Sequence, residues 1–318
     1  MIILRFMPNK YLQLIRKQNA RSKNARSIAL VVGIGLALTS GQRGLAVISY
    51  TTPGSVYSEN FDGLPTDAPS NASIESGSYL DGWQDDTTTA PNHVSVPGWY
   101  LHHPLSPAAE NGFDGNQRFR MGPGANTGSF WGFATASSTN PEKALGSIGS
   151  TTVAADGAKM FMGLRFVNNT GVTLNSVTVT YNGEQWRDGQ SPSGETLLFD
   201  YSLSATTADW FSTAVFTAVQ GLDFTSPVVA GVSNGGTSVN GNVEGLVTDI
   251  SSTITGISWA PGADLWLRWG DPQLAGNADD GLAIDNVRVS AVPEPGTVSL
   301  FAVAAVTLLG YRRLRRPA

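Results

Sequence analysis

The sequence predicts an all-β protein whose central region, residues 47–291, folds as a jelly-roll-like β-sandwich. Three observations support this fold class. Gly, Ser, Thr, Asn and Asp interrupt the chain at short intervals, and no amphipathic helix is evident between the turns. About ten strand-like segments fall within roughly 240 residues, a number that suits two sheets packed face to face. The chain has no cysteine, so disulfides and thiolate metal sites are excluded.

The strand signals are alternating apolar residues or runs of β-branched and aromatic residues. In chain order the segments are Ser55–Phe61, His93–His102, Gly128–Thr135, Lys159–Asn168, Leu174–Trp186, Glu195–Ser204, Ser212–Val219, Val247–Ile257, Asp264–Trp269 and Gly281–Ser290. The turn Asn168-Asn169-Thr170-Gly171 joins two of them, which predicts a β-hairpin there. Long loops are expected at Ser70–Asn92, Phe113–Asn126 and Val228–Gly245.

Residues 1–46 predict a secretory signal peptide. This segment contains eight Lys and Arg residues and no acid, and the uncharged apolar stretch Ile28–Leu38 follows its basic part. Small residues at Gly44-Leu45-Ala46 suit the cleavage positions. The exported chain is therefore expected to begin near Val47.

The central region is strongly acidic once both ends are set aside. Between Val47 and Val292 there are eight Lys and Arg residues against 24 Asp and Glu residues, a net charge near −16, whereas the whole chain carries −5. Such a surface repels nucleic-acid phosphates, and no basic stripe offsets it. Nucleic acid is thus excluded as a partner, while divalent cations and neutral glycans suit the surface.

The C-terminal end carries three features in a fixed order. Pro293-Glu294-Pro295 comes first, the twelve-residue apolar run Val298–Leu309 follows, and four arginines stand near the terminus. The run predicts a short transmembrane helix, since a full span needs about 20 residues. The arginines are expected on the cytoplasmic side. An ordinary C-terminal tail anchor is the alternative interpretation.

Residues 292–318 resemble the PEP-CTERM sorting signal of bacterial surface proteins. In that family a membrane protease of the exosortase type recognises the Pro-Glu-Pro motif, here Pro293, Glu294 and Pro295, and cuts nearby. The resemblance implies export through the inner membrane of a Gram-negative bacterium and transient anchoring by the C-terminal helix. It further implies a final position at the cell surface or in the extracellular matrix, linked to exopolysaccharide and biofilm.

The central region resembles an uncharacterised bacterial β-sandwich domain that recurs in PEP-CTERM surface proteins. The segments that carry this resemblance are Phe166–Gly171, Tyr181–Arg187, Leu265–Trp269 and Gly281–Asn286. The family implies a fold and supplies no catalytic residues. The leading interpretation is accordingly a non-catalytic surface or matrix protein.

The two ends of the central region are also similar to jelly-roll carbohydrate-binding modules. The similarity rests on Glu59-Asn60-Phe61-Asp62-Gly63 and on Ile284-Asp285-Asn286-Val287. In those modules the first and last strands are neighbours and often share a structural calcium ion. The resemblance therefore implies Asp62 and Asp285 as calcium ligands.

Strand alternation draws attention to Asp285 independently. It shares a predicted strand face with Ala283, Val287 and Val289, so its carboxylate is expected to be at least partly buried. A buried charge is costly unless it is paired, hydrogen-bonded or bound to a metal. Calcium would satisfy it, with help from the preceding turn and its acids, Asp279 and Asp280. Loop amides or an ion pair would do so too, the candidate cations being Arg165, Arg187 and Arg268.

Four residues are candidate glycan ligands. Trp266 and Arg268 share one face of a predicted strand, and Glu184 and Trp186 share a face of another. An exposed Trp beside Arg and Glu can stack on a sugar ring and bind its hydroxyls. The alternative is packing in the core or at its rim, where β-sandwich tryptophans commonly lie. A glycan-binding, lectin-like module is thus the second interpretation.

Catalytic signals are few. No His-Glu-x-x-His motif occurs, and the three histidines lack the spacing of a metal site. Glu184 with Glu195 or Asp188 would serve a glycosidase only across a cleft, with the carboxyl groups about 5 to 9.5 Å apart. A polysaccharide hydrolase is the third interpretation, and no cofactor is implied other than a structural calcium ion.

Overall fold

The computed structural model describes residues 47–64, 83, 96–105, 119–123, 128–135, 142–189, 193–229, 236–275 and 278–294. The predicted signal peptide, Pro295 and the C-terminal apolar run lie outside these residues. The described part is nearly all β, with fifteen strands and one 3-10 helix at Gln220–Leu222. None of its helices is long and apolar enough to cross a membrane.

The fifteen strands divide into two sheets that pack as a β-sandwich, as the sequence predicts. In chain order they are β1 (Ile48–Tyr50), β2 (Val56–Glu59), β3 (Trp99–His102), β4 (Phe119–Gly122), β5 (Ser129–Phe133), β6 (Ala144–Ile148), β7 (Lys159–Asn168), β8 (Leu174–Asp188), β9 (Thr196–Ser202), β10 (Thr217–Ala218), β11 (Phe224–Thr225), β12 (Thr237–Ser238), β13 (Leu246–Trp259), β14 (Asp264–Pro272) and β15 (Gly281–Val292).

The seven-stranded sheet has the order β1-β7-β14-β9-β10, with β3 also beside β7 and β11 beside β9. Its centre is the long antiparallel pair β7 and β14, which runs from Lys159 opposite Pro272 to Val167 opposite Asp264. Alternation divides the side chains of β14 between two environments. Leu265, Leu267 and Trp269 enter the main core, while Trp266 belongs to a separate aromatic cluster.

The eight-stranded sheet has the order β12-β8-β15-β6-β5-β4, with β13 beside β8 and β2 beside β15. Strand β15 is therefore central, paired with β8 on one side and with β2 and β6 on the other. Val287 lies opposite Glu59 and Val289 opposite Tyr57. The implied adjacency of the first predicted strand, Ser55–Phe61, and the last strand is confirmed, and Asp62 lies near enough to Asp285 to raise its pKa.

The main core is an aromatic cluster centred on Trp269. Its ring stacks on Trp99 at a centroid distance of 5.5 Å and meets Phe199 and Tyr181 edge-on at 5.1 and 5.6 Å. Both sheets contribute, because Phe199 belongs to one and Tyr181 to the other. Burying each such side chain stabilises the fold by about 1.5–3 kcal/mol. The core therefore lies between the sheets.

The predicted hairpin between β7 and β8 is wrong, because these strands belong to different sheets. The turn carries the chain from one sheet to the other. Asn168 fixes it: its amide donates to the carbonyls of Val172 and Trp259 at 2.9 and 2.7 Å, and its side-chain oxygen accepts from the Thr170 backbone N–H at 3.0 Å. The polar residues of this turn thus stabilise the connection between the two sheets.

Several strand boundaries also differ from the prediction. The segment predicted at Ser212–Val219 contributes only β10, and β4 lies inside the predicted loop Phe113–Asn126. The prediction missed β1 and β6 entirely. All five residues of β6 are buried, so this strand lacks the alternation by which a strand with one exposed face is recognised.

Candidate functional site

The position of Asp285 is set by a β-bulge in β15. The register against β8 shifts between Asp285 and Arg288, and Asn286 has a φ of 50°, which a residue with a Cβ rarely adopts. Ile284 and Val287 both face the main core as a result. Asp285 lies on the opposite face with Ala283, so the predicted face shared with Val287 and Val289 is wrong.

Three carboxylates converge on this outer face of the eight-stranded sheet. One oxygen each from Glu142, Glu184 and Asp285 lies within 4.8 Å of the others, and we call these residues the carboxylate trio. Glu184 accepts a hydrogen bond from the indole Nε1 of Trp186 at 2.8 Å, and Glu142 accepts one from the amide of Asn242. The trio therefore joins β8, β15 and the residue pair that precedes β6.

Asp285 is the member of the trio with the least satisfied carboxylate. It is 2% exposed, Oδ2 accepts from the side-chain amide of Asn286, and Oδ1 has no hydrogen-bond partner among the described residues. An unsatisfied buried charge is costly. The site is therefore suited to a proton or a metal ion at Oδ1.

Burial raises the pKa values of all three acids, and neighbouring acids add to each shift. The pKa of Glu184 rises to about 9, chiefly through burial and then through Glu142 and Asp285. The pKa of Asp285 rises to about 7, chiefly through burial and then through nearby acids, Asp62 among them. Burial also raises the pKa of Glu142, although Asn242 and Lys143 oppose the shift. Without a bound cation, Glu184 therefore holds its proton at neutral pH.

Asp62 lies beside the trio. Its Oδ1 accepts from the backbone N–H of Lys143 at 3.2 Å, and its backbone carbonyl accepts from the Lys143 ammonium at 3.1 Å. Its Oδ2 accepts from Asn60 at 2.7 Å. The structure thus brings the two residues of the predicted calcium pair together but places Glu142 and Glu184, rather than Asp62, closest to Asp285.

Asp279 and Asp280 do not join Asp285, contrary to the prediction. They belong to a second group, with Glu195 and Asp271, which raise one another's pKa values. We call Glu195, Asp271, Asp279 and Asp280 the interior carboxyl cluster. Four residues of extended β15 separate Asp280 from Asp285, a span of roughly 3.4 Å per residue. One ion cannot serve both groups.

The predicted exposed stacking surface is wrong for Trp186 and Trp266, which are 1% and 0% exposed. Gly241 lies against the indole of Trp186 so closely that an added Cβ would be 2.3 Å from Nε1. Trp266 packs against Tyr100 and Trp210 at centroid distances of 4.8 and 5.4 Å. Other segments cover the outer faces of both sheets at these positions.

The other two residues predicted to bind a glycan, Arg268 and Glu184, are also engaged by other groups of the protein or buried. Arg268 donates from Nε and one guanidinium nitrogen to both carboxylate oxygens of Asp200, at 2.8 and 2.7 Å, and from the other to the carbonyl of Trp210 at 2.6 Å. Its guanidinium lies 3.5 Å from the ring centroid of Phe216. Glu184 is 1% exposed. The expectation that these side chains are open to a ligand is therefore wrong.

An open polar groove of about 570 Å³ lies elsewhere on the eight-stranded sheet. Two bulges flank it, one in β13 at Asp249 with a φ of 54° and one in β15 at Asn286. Asn182 of β8 lies between them and accepts from the Asp249 backbone N–H at 3.1 Å. Its lining is wholly polar: Ser58, Glu59, Asn60, Asn182, Thr248, Asp249, Asn286 and Arg288.

The predicted glycosidase pairs are not formed at a cleft. Glu184 is buried in the trio, whereas Glu195 belongs to the interior carboxyl cluster and Asp188 acts on Asp280 of that cluster. A Gly-x-Ser-x-Gly match at Gly231–Gly235 lies outside the described residues. In hydrolases this motif places the nucleophilic serine at a sharp turn between a strand and an α-helix. The described part of the chain has no α-helix.

Comparison with known proteins gives no family for this chain. No family model matches it, and no curated protein matches it. Solved structures give remote similarities. TmCBM61 in complex with β-1,4-galactotriose is 10% identical, with 48% of this chain and 73% of that chain covered and a TM-score of 0.23.

Two adhesin domains of Lys-gingipain give comparable values. The K2 cleaved adhesin domain is 11% identical, with 74% of this chain and 99% of that chain covered and a TM-score of 0.31. The K1 domain, from Porphyromonas gingivalis W83, is 12% identical, with 75% and 99% covered and a TM-score of 0.27. Similarities this remote supply no information about ligand or activity, so the function must be inferred from the residues of this chain.

Proposed function

We propose that this protein is an exported, non-catalytic surface or matrix protein whose β-sandwich binds a calcium ion at the carboxylate trio. The Pro-Glu-Pro motif, the apolar run and the terminal arginines support sorting by an exosortase-type protease in a Gram-negative bacterium that produces exopolysaccharide. The observation that supports the cation is the buried Oδ1 of Asp285, which has no hydrogen-bond partner among the described residues and lies beside two further carboxylates.

The chemistry of the trio favours a hard cation such as calcium over metals that prefer nitrogen or sulfur ligands. Its donors are carboxylate oxygens only, and calcium takes six to eight oxygen ligands at flexible angles. The chain has no cysteine, and no histidine belongs to the trio. Lys143 opposes the rise in the pKa of Glu142, but burial outweighs it. One lysine could not compensate the charge of three ionised carboxylates.

The positions of the three carboxylates in the sheet imply a structural role for the ion. Glu184 lies in β8, Asp285 in β15, and Glu142 two residues before β6. A bound ion would therefore hold three neighbouring segments of one sheet together. Since a ligand that binds only the folded state raises its stability by mass action, the protein would unfold at a higher temperature with calcium.

Thermal unfolding of the purified exported protein in EDTA and in millimolar calcium tests this function. We expect calcium to raise the melting temperature of the wild type and to have no effect on Asp285→Asn. Asp209→Asn, at a half-buried acid outside both carboxyl groups, is the matched control and should keep the calcium response. A wild type that unfolds at the same temperature in both buffers would remove the proposal.

Glycan binding is a second candidate function, and the polar groove favours it. Side-chain amides, hydroxyls, carboxylates and one guanidinium line the groove, and these groups pair well with sugar hydroxyls. Its acids outnumber its single cation, which disfavours anionic polysaccharides. We infer that its ligand, if the groove is used, is a neutral polysaccharide.

Retardation in gels that contain dextran, glucomannan or alginate tests the second candidate. Ser58→Tyr places a bulky side chain in the groove and should abolish retardation by a neutral polysaccharide. Val56→Tyr, on the same exposed side of β2 but outside the groove, should bind as the wild type does. Equal retardation of both variants would show that the groove is not the binding site.

A further inference from the structure

The outer face of β8 and β13 carries a ladder of hydroxyl groups. On β8 the core-facing residues of this stretch are Val177 and Val179, so the residues between and beside them face away from the core. The outward-facing residues form three cross-strand pairs, which we call the hydroxyl track: Thr180 with Ser251, Thr178 with Thr253 and Ser176 with Thr255. All six side chains are half-buried or exposed. The track is therefore accessible to a ligand along its length.

The hydroxyls of the track can still bind a ligand after they have bonded to one another. The side-chain oxygens of Thr178 and Thr253 are 2.9 Å apart, and a mutual hydrogen bond uses only one of their two hydroxyl hydrogens. Those of Thr180 and Ser251 are 2.8 Å apart, and Ser251 also donates to the carbonyl of Val179 at 3.3 Å. This second pair keeps lone pairs that can accept. The track thus offers both donors and acceptors, which sugar hydroxyls require.

The track is continuous with the polar groove. Asn182 follows Thr180 on the outer face of β8 and lines the groove, and Asp249 lines it two residues before Ser251 on β13. From Ser176 to Asn182 the strand extends about 20 Å, at roughly 3.4 Å per residue. Groove and track therefore form one elongated polar surface along β8.

The track is uncharged within a strongly acidic domain. None of its six residues is ionisable. On the neighbouring strand β15, Arg288 lies opposite Thr180, and Asp249 pairs with it at 2.6 Å. An anionic polymer would find no unpaired cation here among these residues and would be repelled by the acidic domain. A neutral polymer rich in hydroxyls suits the track both in charge and in hydrogen bonding.

We propose that the hydroxyl track and the groove form one binding site for an extended, linear, neutral polysaccharide. This proposal rests on the second candidate function, glycan binding in the groove, and specifies the ligand and its direction. The chain would lie along β8, with one segment in the groove and the next over the track. A terminal sugar held in the groove alone would not reach Thr178.

Retardation of the exported protein in gels that contain dextran or glucomannan tests the proposal. The variant that carries both Thr178→Val and Thr253→Val loses the central hydroxyl pair but keeps the branched shape of both side chains. We expect its dissociation constant for the neutral polysaccharide that retards the wild type to rise about tenfold, because two hydrogen-bonding groups are lost.

The chain contains a matched control in its other sheet. The hydroxyls of Thr196 and Thr225 are 2.8 Å apart across β9 and β11 and are exposed. The variant with Thr196→Val and Thr225→Val therefore loses an equivalent cross-strand pair far from the track in the fold. It should bind as the wild type does. Equal weakening of binding in both double variants would reflect a general loss of sheet stability and would overturn the proposal.

The remaining outcomes separate the track from the groove. Wild-type binding by the Thr178 and Thr253 double variant, with none by Ser58→Tyr, would confine the ligand to the groove and overturn this proposal alone. Weak binding by the double variant beside normal binding by Ser58→Tyr would support the track and remove the groove. A wild type retarded by neither dextran nor glucomannan overturns both glycan proposals. The calcium proposal is decided separately by the melting temperature.

Discussion

Trp210 and Trp266 stack with ring centroids 5.4 Å apart and ring planes 7° from parallel. Trp210 comes from the segment between β9 and β10 and covers the outer face of the seven-stranded sheet. Gly163 makes room for it, since a Cβ there would lie 2.7 Å from the indole ring. The face of Trp266 that a sugar would need is therefore occupied by another tryptophan.

Replacing Trp266 should destabilise the fold rather than weaken ligand binding. We expect Trp266→Ala to lower the free energy of unfolding by about 3–5 kcal/mol, as for other large buried aromatic residues. Urea denaturation measures the change. Val215→Ala, at a 76% exposed position, should change it by less than about 0.5 kcal/mol. A cost near that of the control would mean that the stack contributes little.

Stability without metal should fall as pH rises. The pKa of Glu184 is 4.5 in its ordinary state and about 9 when folded, and that of Asp285 goes from 3.8 to about 7. The folded state therefore binds more protons, and this contribution to stability is complete below the unfolded values and is lost as pH rises through the folded ones. Urea unfolding in EDTA between pH 4 and pH 9 measures it.

The matched variant for this pH dependence is Glu184→Gln. It should flatten the decline in the free energy of unfolding between pH 5 and pH 9 in EDTA. Calcium should oppose the decline in the wild type, because its carboxylate ligands must lose their protons to bind the ion. A free energy of unfolding that rises with pH over this range in EDTA would contradict the assignment.

The stability of the fold should depend on whether the residue at position 286, in the bulge, has a Cβ. Asn286→Ala and Asn286→Gly both remove the amide that donates to Asp285, but only alanine keeps a Cβ at a φ of 50°. We expect the alanine variant to be less stable than the glycine variant by about 1 kcal/mol. Equal stabilities in urea denaturation would show that the backbone relaxes on substitution.

The sorting motif can be tested in cells. Replacing Pro293 and Pro295 by alanine should leave export intact but retain an uncut precursor in the inner membrane, since the protease would lose its recognition motif. Fractionation followed by immunoblotting measures precursor and product. Pro261→Ala, in an exposed turn of the sandwich, is the control. Unchanged processing of the double variant would exclude the sorting hypothesis.

The long strands could be predicted from the sequence, whereas their assignment to sheets could not. Lys159–Asn168 is predicted with the bounds that β7 has, because apolar residues alternate along it. The turn after it carries the residues of a hairpin, yet Asn168 uses its side chain to bond Trp259 across the sandwich. Local turn chemistry does not reveal such distant partners.

The candidate site could be predicted only in part, again because local sequence does not reveal partners that are distant in the chain. Asp285 is conspicuous because an acid stands among apolar strand residues, but the bulge at Asn286 reverses which face it occupies. Glu142 carries no local signal at all, since its position beside Glu184 and Asp285 comes from contacts between segments far apart in the chain. Exposure of Trp186 and Trp266 was predicted wrongly, because alternation does not show what covers the outer face of a sheet.

The central position of β15 has a mechanical consequence. Its last residue, Val292, still pairs with Ser176, and Pro293 follows at once, so no linker separates the sheet from the Pro-Glu-Pro motif. A pull on the chain beyond Glu294 would act along β15. Because antiparallel hydrogen bonds are perpendicular to the strands, such a force shears the ladder with β8 from Ser176 to Arg187 as a whole. We therefore expect the domain to resist a force applied at its C-terminal end.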